Sequence, residues 1–296
     1  MRGLRRRGSR RAGGEHAAPI VPLTPFQVRR AEVRIAVAGD VGHPSPALDA
    51  TVAAMAAEHN RRTFDGLVLL GDNVYADGDP DRVSEAVLEP FAPLLSQGVG
   101  LTAALGNHDE DRGRGDEIAR RLGMPARWYE RRFGPIQLVV LDSTRPGDPE
   151  QKAWLDAILA SGDAPFRAVA LHHPPYSAGW HGSSRDVRRA FGPIFERHGV
   201  DLVLAGHEHD YQRSKPLKGT VYVISGAATH LRDGGYRRFT AVSRARHHFL
   251  DLWVVDGTVV VQPVGHDGLA FDRAVLPLRA EGRSSLPPER VSTGNT

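Results

Sequence analysis

Three aspartates, an asparagine and two histidines each follow directly on a short apolar run, and all are oxygen or nitrogen donors suited to a metal ion. Val33 to Gly39 runs into Asp40, Leu67 to Gly71 into Asp72, and Leu101 to Gly106 into Asn107. Ile136 to Leu141 runs into Asp142, Ala168 to Leu171 into His172, and Leu202 to Gly206 into His207. In an α/β sheet the groups just past the carboxyl ends of strands converge on one crevice, so residues scattered through the sequence can line a single site. The chemistry expected of such a site is metal-assisted.

The elements that must position these residues alternate between strand-like and helical patterns, which favours an α/β domain over separate all-α and all-β parts. Pro46 to Asn60 is Ala-rich with apolar residues at helical spacing, Pro149 to Ala160 opens with Pro-Glu in its first turn, and Ser184 to His198 reads as a third helix. Asp201 to Ala205, Val221 to Ser225, Phe249 to Val255 and Thr258 to Gln262 are strand-like, with a hairpin signal at Asp256-Gly257. There is no internal repeat and no linker in the middle. The expected organisation is a basic disordered leader over 1–30, one catalytic domain over 31–279 and a disordered tail over 280–296.

Composition narrows the possibilities. The chain of 296 residues is long enough to bury a real core. It has no cysteine, so disulfides and thiolate metal sites are excluded. Its formal charge of +3 rests on Arg2, Arg5, Arg6, Arg7, Arg10 and Arg11, and setting those six aside turns the remainder to −3. The basicity belongs to the leader, and no nucleic-acid groove is implied. Ser9-Arg10-Arg11 opens like a twin-arginine signal, but Ala12-Gly13-Gly14-Glu15-His16 follows where an apolar stretch is required, and Pro19, Pro22 and Pro25 break the next segment. Neither a signal-peptide core nor a membrane span is read, and the expected location is cytoplasmic, or secreted if the true start differs.

In order, the chemistry-bearing segments are Gly39-Asp40-Val41-Gly42, Gly71-Asp72-Asn73-Val74-Tyr75, Gly106-Asn107-His108-Asp109, Val169-Ala170-Leu171-His172 and Gly206-His207-Glu208-His209. Each alone is weak, but all five in this order are specific. The set resembles the calcineurin-like metallophosphoesterases and, within them, the purple acid phosphatases. Most metallophosphoesterases carry a histidine two residues after the first aspartate, where this chain has Gly42. The purple branch compensates with a metal-binding tyrosine, which Tyr75 matches. The resemblance implies a four-layer αββα sandwich in which two sheets are flanked by helices. It further implies that Asp40, Asp72, Tyr75 and His209 hold one metal, that Asp72, Asn107, His172 and His207 hold the other, and that Asp72 bridges.

On that assignment the chemistry is coherent. A free phenol has a pKa of about 10, so an ionised Tyr75 calls for a strongly charged ion, and Fe3+ fits best. The second site, with neutral His and Asn donors, suits Fe2+, Zn2+ or Mn2+. Two such ions clamp a phosphoryl group and create hydroxide for in-line attack on phosphorus. The resemblance gives His108 to phosphate binding and transition-state stabilisation. His181, in Gly179-Trp180-His181-Gly182, lies where related enzymes place a substrate-facing histidine and is expected to be the general acid.

Other candidates are set aside. Asp142 is read as a capping or supporting aspartate, His173 and His43 as loop residues, and His230, His247, His248 and His266 as having no motif behind them. Asp109 and Asp210 are either loop polarity or groups that orient ligand histidines. The expected activity is an acid phosphatase-like phosphomonoesterase acting on small-molecule phosphate esters. The alternatives are a phosphodiesterase acting on nucleotides or lipids and a non-catalytic scaffold of the same fold.

Overall fold

The computed structural model describes residues 27, 30–161 and 163–279. The leader expected over 1–30 and the tail expected over 280–296 fall outside the described residues, Gln27 and Arg30 apart.

Two mixed sheets form the centre of the fold. The first has the order β13-β12-β11-β1-β2-β3, where β1 is Val33–Ala38, β2 Gly66–Leu69, β3 Gly100–Ala103, β11 His248–Val255, β12 Thr258–Gly265 and β13 Ala274–Pro277. In it β1, β2 and β3 run parallel, and β11 pairs antiparallel with β1. The second has the order β10-β8-β9-β7-β6-β5-β4, where β4 is Tyr129–Phe133, β5 Ile136–Val140, β6 Phe166–Ala170, β7 Leu202–Ala205, β8 Tyr211–Ser214, β9 Val221–Ser225 and β10 Thr240–Arg244. Its β5, β6, β7 and β9 are parallel neighbours.

Side chains alternate across each strand, and that period of two sorts the core into layers. Ile35 and Val37 of β1 point into the space between the sheets, where they join Leu138 and Val140 of β5 and Leu202 and Leu204 of β7. Ala36 and Ala38 point the other way, onto α1 (Pro46–Arg61), through Leu48, Val52 and Met55. On the outer face of the second sheet, Val139, Val169 and Val203 pack against Leu155 and Leu159 of the helix Pro149–Ser161 and against Phe191 and Phe195 of the helix Arg185–Arg197. Three apolar cores between four layers make the expected αββα sandwich.

Helix Arg185–Arg197 buries Val187, Phe191, Ile194 and Phe195, one stripe at helical spacing. Asp256 and Gly257 both take positive φ, 49° and 70°, as a tight turn between β11 and β12 requires. The sequence reading missed β4, β8, β10 and β13, which lie at or near sheet edges and lack long apolar runs. No helix among the described residues is long and apolar enough to cross a membrane.

Candidate metal centre

The two sheets present their strand ends to a common point. Asp40, Asp72 and Asn107 follow β1, β2 and β3 of one sheet, while His172 and His207 follow β6 and β7 of the other. Tyr75 comes from the loop after β2, and His209 from the turn that leads into β8. The backbone is bent to deliver them: Asp40, Asp72 and His207 have φ of 58°, 52° and 70°, a region costly for residues other than glycine. Close approach explains the glycine before a donor. A Cβ at Gly106 would sit 2.1 Å from Asp72 Oδ1, and one at Gly206 would sit 2.7 Å from Asp40 Oδ2.

The seven donors form two groups sharing one carboxylate. In the first, the Tyr75 hydroxyl lies 3.0 Å from Asp40 Oδ1, 3.0 Å from Asp72 Oδ2 and 3.4 Å from His209 Nε2. In the second, His172 Nε2 lies 3.1 Å from Asn107 Oδ1, 3.2 Å from His207 Nδ1 and 3.4 Å from Asp72 Oδ1. Asp72 therefore turns one oxygen to each group.

Supporting hydrogen bonds hold these atoms in place. His172 Nδ1 donates to the Leu70 carbonyl at 2.9 Å, which turns Nε2 toward the other donors. Burial opposes its protonation, but the Asp72 charge outweighs burial and raises it to about 9, so a metal ion at Nε2 would displace a proton. The backbone N–H of His207 donates to Asp40 Oδ2 and that of His108 to Asp72 Oδ1, each at 2.9 Å.

The electrostatics of this cluster call for cations. Burial raises the Asp40 carboxyl above its usual range. Burial also drives the Tyr75 hydroxyl far above its ordinary value, and the charges on Asp40 and Asp72 push it the same way. That hydroxyl has a single proton to share between two carboxylates at equal distance. Burial, with His172 alongside, lowers His207 to about 2 and so keeps it neutral, the form that binds metal. Two or more positive charges placed among these donors would relieve the carboxylates and permit the phenolate. The residues present fit a dinuclear centre.

The two candidate catalytic histidines flank the donors. The His108 ring packs on the Tyr75 ring, with centroids 4.5 Å apart, and its Nδ1 donates to the Ala76 carbonyl at 2.5 Å, leaving Nε2 free. His181 lies over His207, with ring centroids 4.3 Å apart. Its Nδ1 is 3.6 Å from Glu208 Oε2, and its Nε2 is 2.9 Å from Arg232 Nη1.

Several acidic neighbours support the loops that carry the donors, and Glu208 was not singled out in the sequence. Glu208 is buried and accepts from Ser177 Oγ and from the backbone N–H groups of His181 and Gly182, so it shapes the loop carrying His181. Its position between two candidate ligands was the available signal. Asp109 spends its oxygens on the N–H groups of Asn73, Val74 and Gly106 and on the Asn73 amide, tying the loops after β2 and β3 together. Asp210 meets the Gln212 amide. Asp142 accepts from Arg127 and from the Thr144 backbone two residues on, so it supports the loop after β5 rather than capping a helix.

His173, read as a loop residue, does bond Ser143 Oγ at 3.0 Å. Its ring also stands 4.6 Å from that of His207, and it lines the centre. His230, left without a role, stacks on His209 at 5.4 Å and meets His43 at 5.0 Å. Neither carried a spacing that sequence could use.

A two-sheet α/β sandwich with paired donor groups at its strand ends defines a metal-dependent phosphoester hydrolase. The calcineurin-like phosphoesterase family profile matches residues 33–211, and the chain belongs to that family, in its purple acid phosphatase-like branch. It is 26% identical over 259 residues to tartrate-resistant acid phosphatase type 5 of Oryctolagus cuniculus, a match covering 73% of this chain and 80% of that protein. It is 29% identical over 242 residues to purple acid phosphatase 21 of Arabidopsis thaliana, covering 71% of this chain and 52% of the relative. In fold it is similar to a purple acid phosphatase from yellow lupin seeds, with a TM-score of 0.73 and 18% identity, covering 86% of this chain and 55% of that one. The chain thus spans about half the length of these plant proteins. Such relatives imply a dinuclear metal centre.

Proposed function

We propose that the protein is an acid phosphatase-like phosphomonoesterase whose catalytic domain spans residues 31–279. The observation that carries this reading is the shared carboxylate: Asp72 offers one oxygen to the Tyr75 group and the other to the His172 group. In this reading Asp40, Asp72, Tyr75 and His209 hold Fe3+, while Asp72, Asn107, His172 and His207 hold Fe2+, Zn2+ or Mn2+. Gly42 supports the choice of iron, because no imidazole stands two residues after Asp40 and the phenol Tyr75 lies against that carboxylate instead.

When bound, the two ions would polarise the phosphoryl group and activate a water for in-line attack. The protein supplies the rest. His108, whose Nδ1–H is held by the Ala76 carbonyl, binds a phosphate oxygen in its doubly protonated form by donating from Nε2–H, and so stabilises the charge that builds there in the transition state. His181, with Nδ1 3.6 Å from Glu208, accepts from Arg232 at Nε2, and it delivers a proton to the departing alkoxide once the leaving group takes the place of Arg232 at that nitrogen. Asp109 and Glu208 keep the loops in register without touching substrate.

The test is a comparison of kcat/KM for the metal-loaded protein on a phosphate monoester and on the corresponding diester. The monoester is expected to be favoured by about a hundredfold or more, with activity abolished by a chelator and regained on adding metal. A diester preference would transfer the assignment to the phosphodiesterases. Absence of turnover on both substrates at full metal occupancy would leave a scaffold.

A further inference from the structure

The rim beside His181 carries apolar surface that a phosphate site does not explain. Among the described residues six large hydrophobic side chains are exposed, and three of them, Trp180, Leu231 and Tyr236, fall on two neighbouring segments there. Trp180 is 78% exposed and directly precedes His181. The second segment is anchored to the centre, because the Arg232 N–H donates to the His209 carbonyl at 2.8 Å and Arg232 Nη1 meets His181 Nε2 at 2.9 Å. The backbone at Gly235 closes on the Ala178 carbonyl, so the two segments pack together. Trp180, Arg232 and Asp233 line one surface pocket between them.

Those three side chains have complementary chemistries. An indole offers a large flat face, a guanidinium held by its edge still offers a planar face, and both stack on aromatic rings. A carboxylate beside them only accepts hydrogen bonds. The occupant that satisfies all three is a planar ring with N–H donors on one edge, and guanine, with two adjacent donors, matches the two carboxylate oxygens.

We propose that this pocket is a base-binding subsite, and that the physiological phosphate ester is a nucleotide whose base stacks on Trp180 and Arg232 and donates to Asp233. The proposal rests on the phosphomonoesterase reading for catalysis but not for binding. Phosphate at the metal centre and base in this pocket would be held by one molecule, since Trp180 and Arg232 each adjoin residues of the centre.

The test measures kcat/KM on guanosine monophosphate, phenyl phosphate and glycerol phosphate, together with calorimetric binding of guanosine monophosphate and glycerol phosphate. The native protein should prefer the nucleotide. Trp180→Ala should lower nucleotide kcat/KM about tenfold and leave glycerol phosphate unchanged, with Trp180→Phe restoring most of the loss. Asp233→Ala should affect the nucleotide and spare phenyl phosphate, which separates a base from a simple aryl ring.

Equal losses on all substrates in Trp180→Ala would overturn the subsite, as would a native protein without nucleotide preference. If no monoester is hydrolysed, the monoesterase reading falls. The binding difference between nucleotide and glycerol phosphate, and its disappearance in Trp180→Ala, would still decide the subsite.

Discussion

Tyr75 shows how one residue can hold contradictory demands. Its hydroxyl faces two buried carboxylates at 3.0 Å, a setting that opposes ionisation unless cations share the space. Asp72 resolves a second demand by turning its two oxygens in different directions. Strand ends alone offered Asp40, Asp72, Asn107, His172 and His207 as donors; the roles of Tyr75 and of Asp72 as a bridge were implied by the family resemblance that the five motifs carry. Arg232 and His230 were not legible, since each acts by where a loop folds back rather than by spacing.

The two non-ligand histidines can be separated at this scale, because a proton donor matters only as far as the leaving group needs a proton. His181→Ala should slow alkyl phosphates by about 10² to 10⁴-fold and spare aryl phosphates, whose phenolate leaves unaided. His108→Ala should slow both classes, since charge on the phosphate must be stabilised whatever leaves. Equal effects of His181→Ala on the two classes would reassign the proton to His108.

At the scale of elements, β1 has two tasks: it delivers Asp40 at its end and anchors the sheet at its start. Arg34, inside an apolar run, is fully buried and clamped between the Phe64 and Trp253 rings. It forms two bonds of 2.8 Å to Asp251 on β11, another of 2.8 Å to Glu58, and reaches the Glu58 and Arg62 carbonyls at the end of α1. Removing one partner of a buried ion pair strands the other, so Arg34→Met should cost about 3–5 kcal/mol in urea unfolding. Arg34→Met with Asp251→Leu should recover much of that. A single-variant loss below about 1 kcal/mol would show that the network is not structural.

Sequence patterns located the long helices and the buried parallel strands, where apolar runs are unambiguous. They did not locate β4, Tyr129–Phe133, with its charged Glu130, Arg131 and Arg132, or β8, Tyr211–Ser214, because the pairing of short polar strands is decided by the neighbouring sheet.

At the scale of the molecule, the centre exists because two separate sheets end at the same place. One supplies mainly carboxylate and amide oxygens, the other imidazoles, and neither set could hold two ions alone. The fold class and the order of donors could be read from the five motifs together. The rim made by Trp180 and the segment 230–236 could not, because it depends on how two loops pack. The αββα frame sets where chemistry happens, and those loops set what is brought to it.

The proposed iron centre with a phenolate ligand is tested by a visible absorption spectrum taken with metal analysis of the purified protein. Iron in the protein, a broad visible band, and loss of that band in Tyr75→Phe are the expected results. A colourless, fully active protein holding two zinc or manganese ions would contradict the proposed centre.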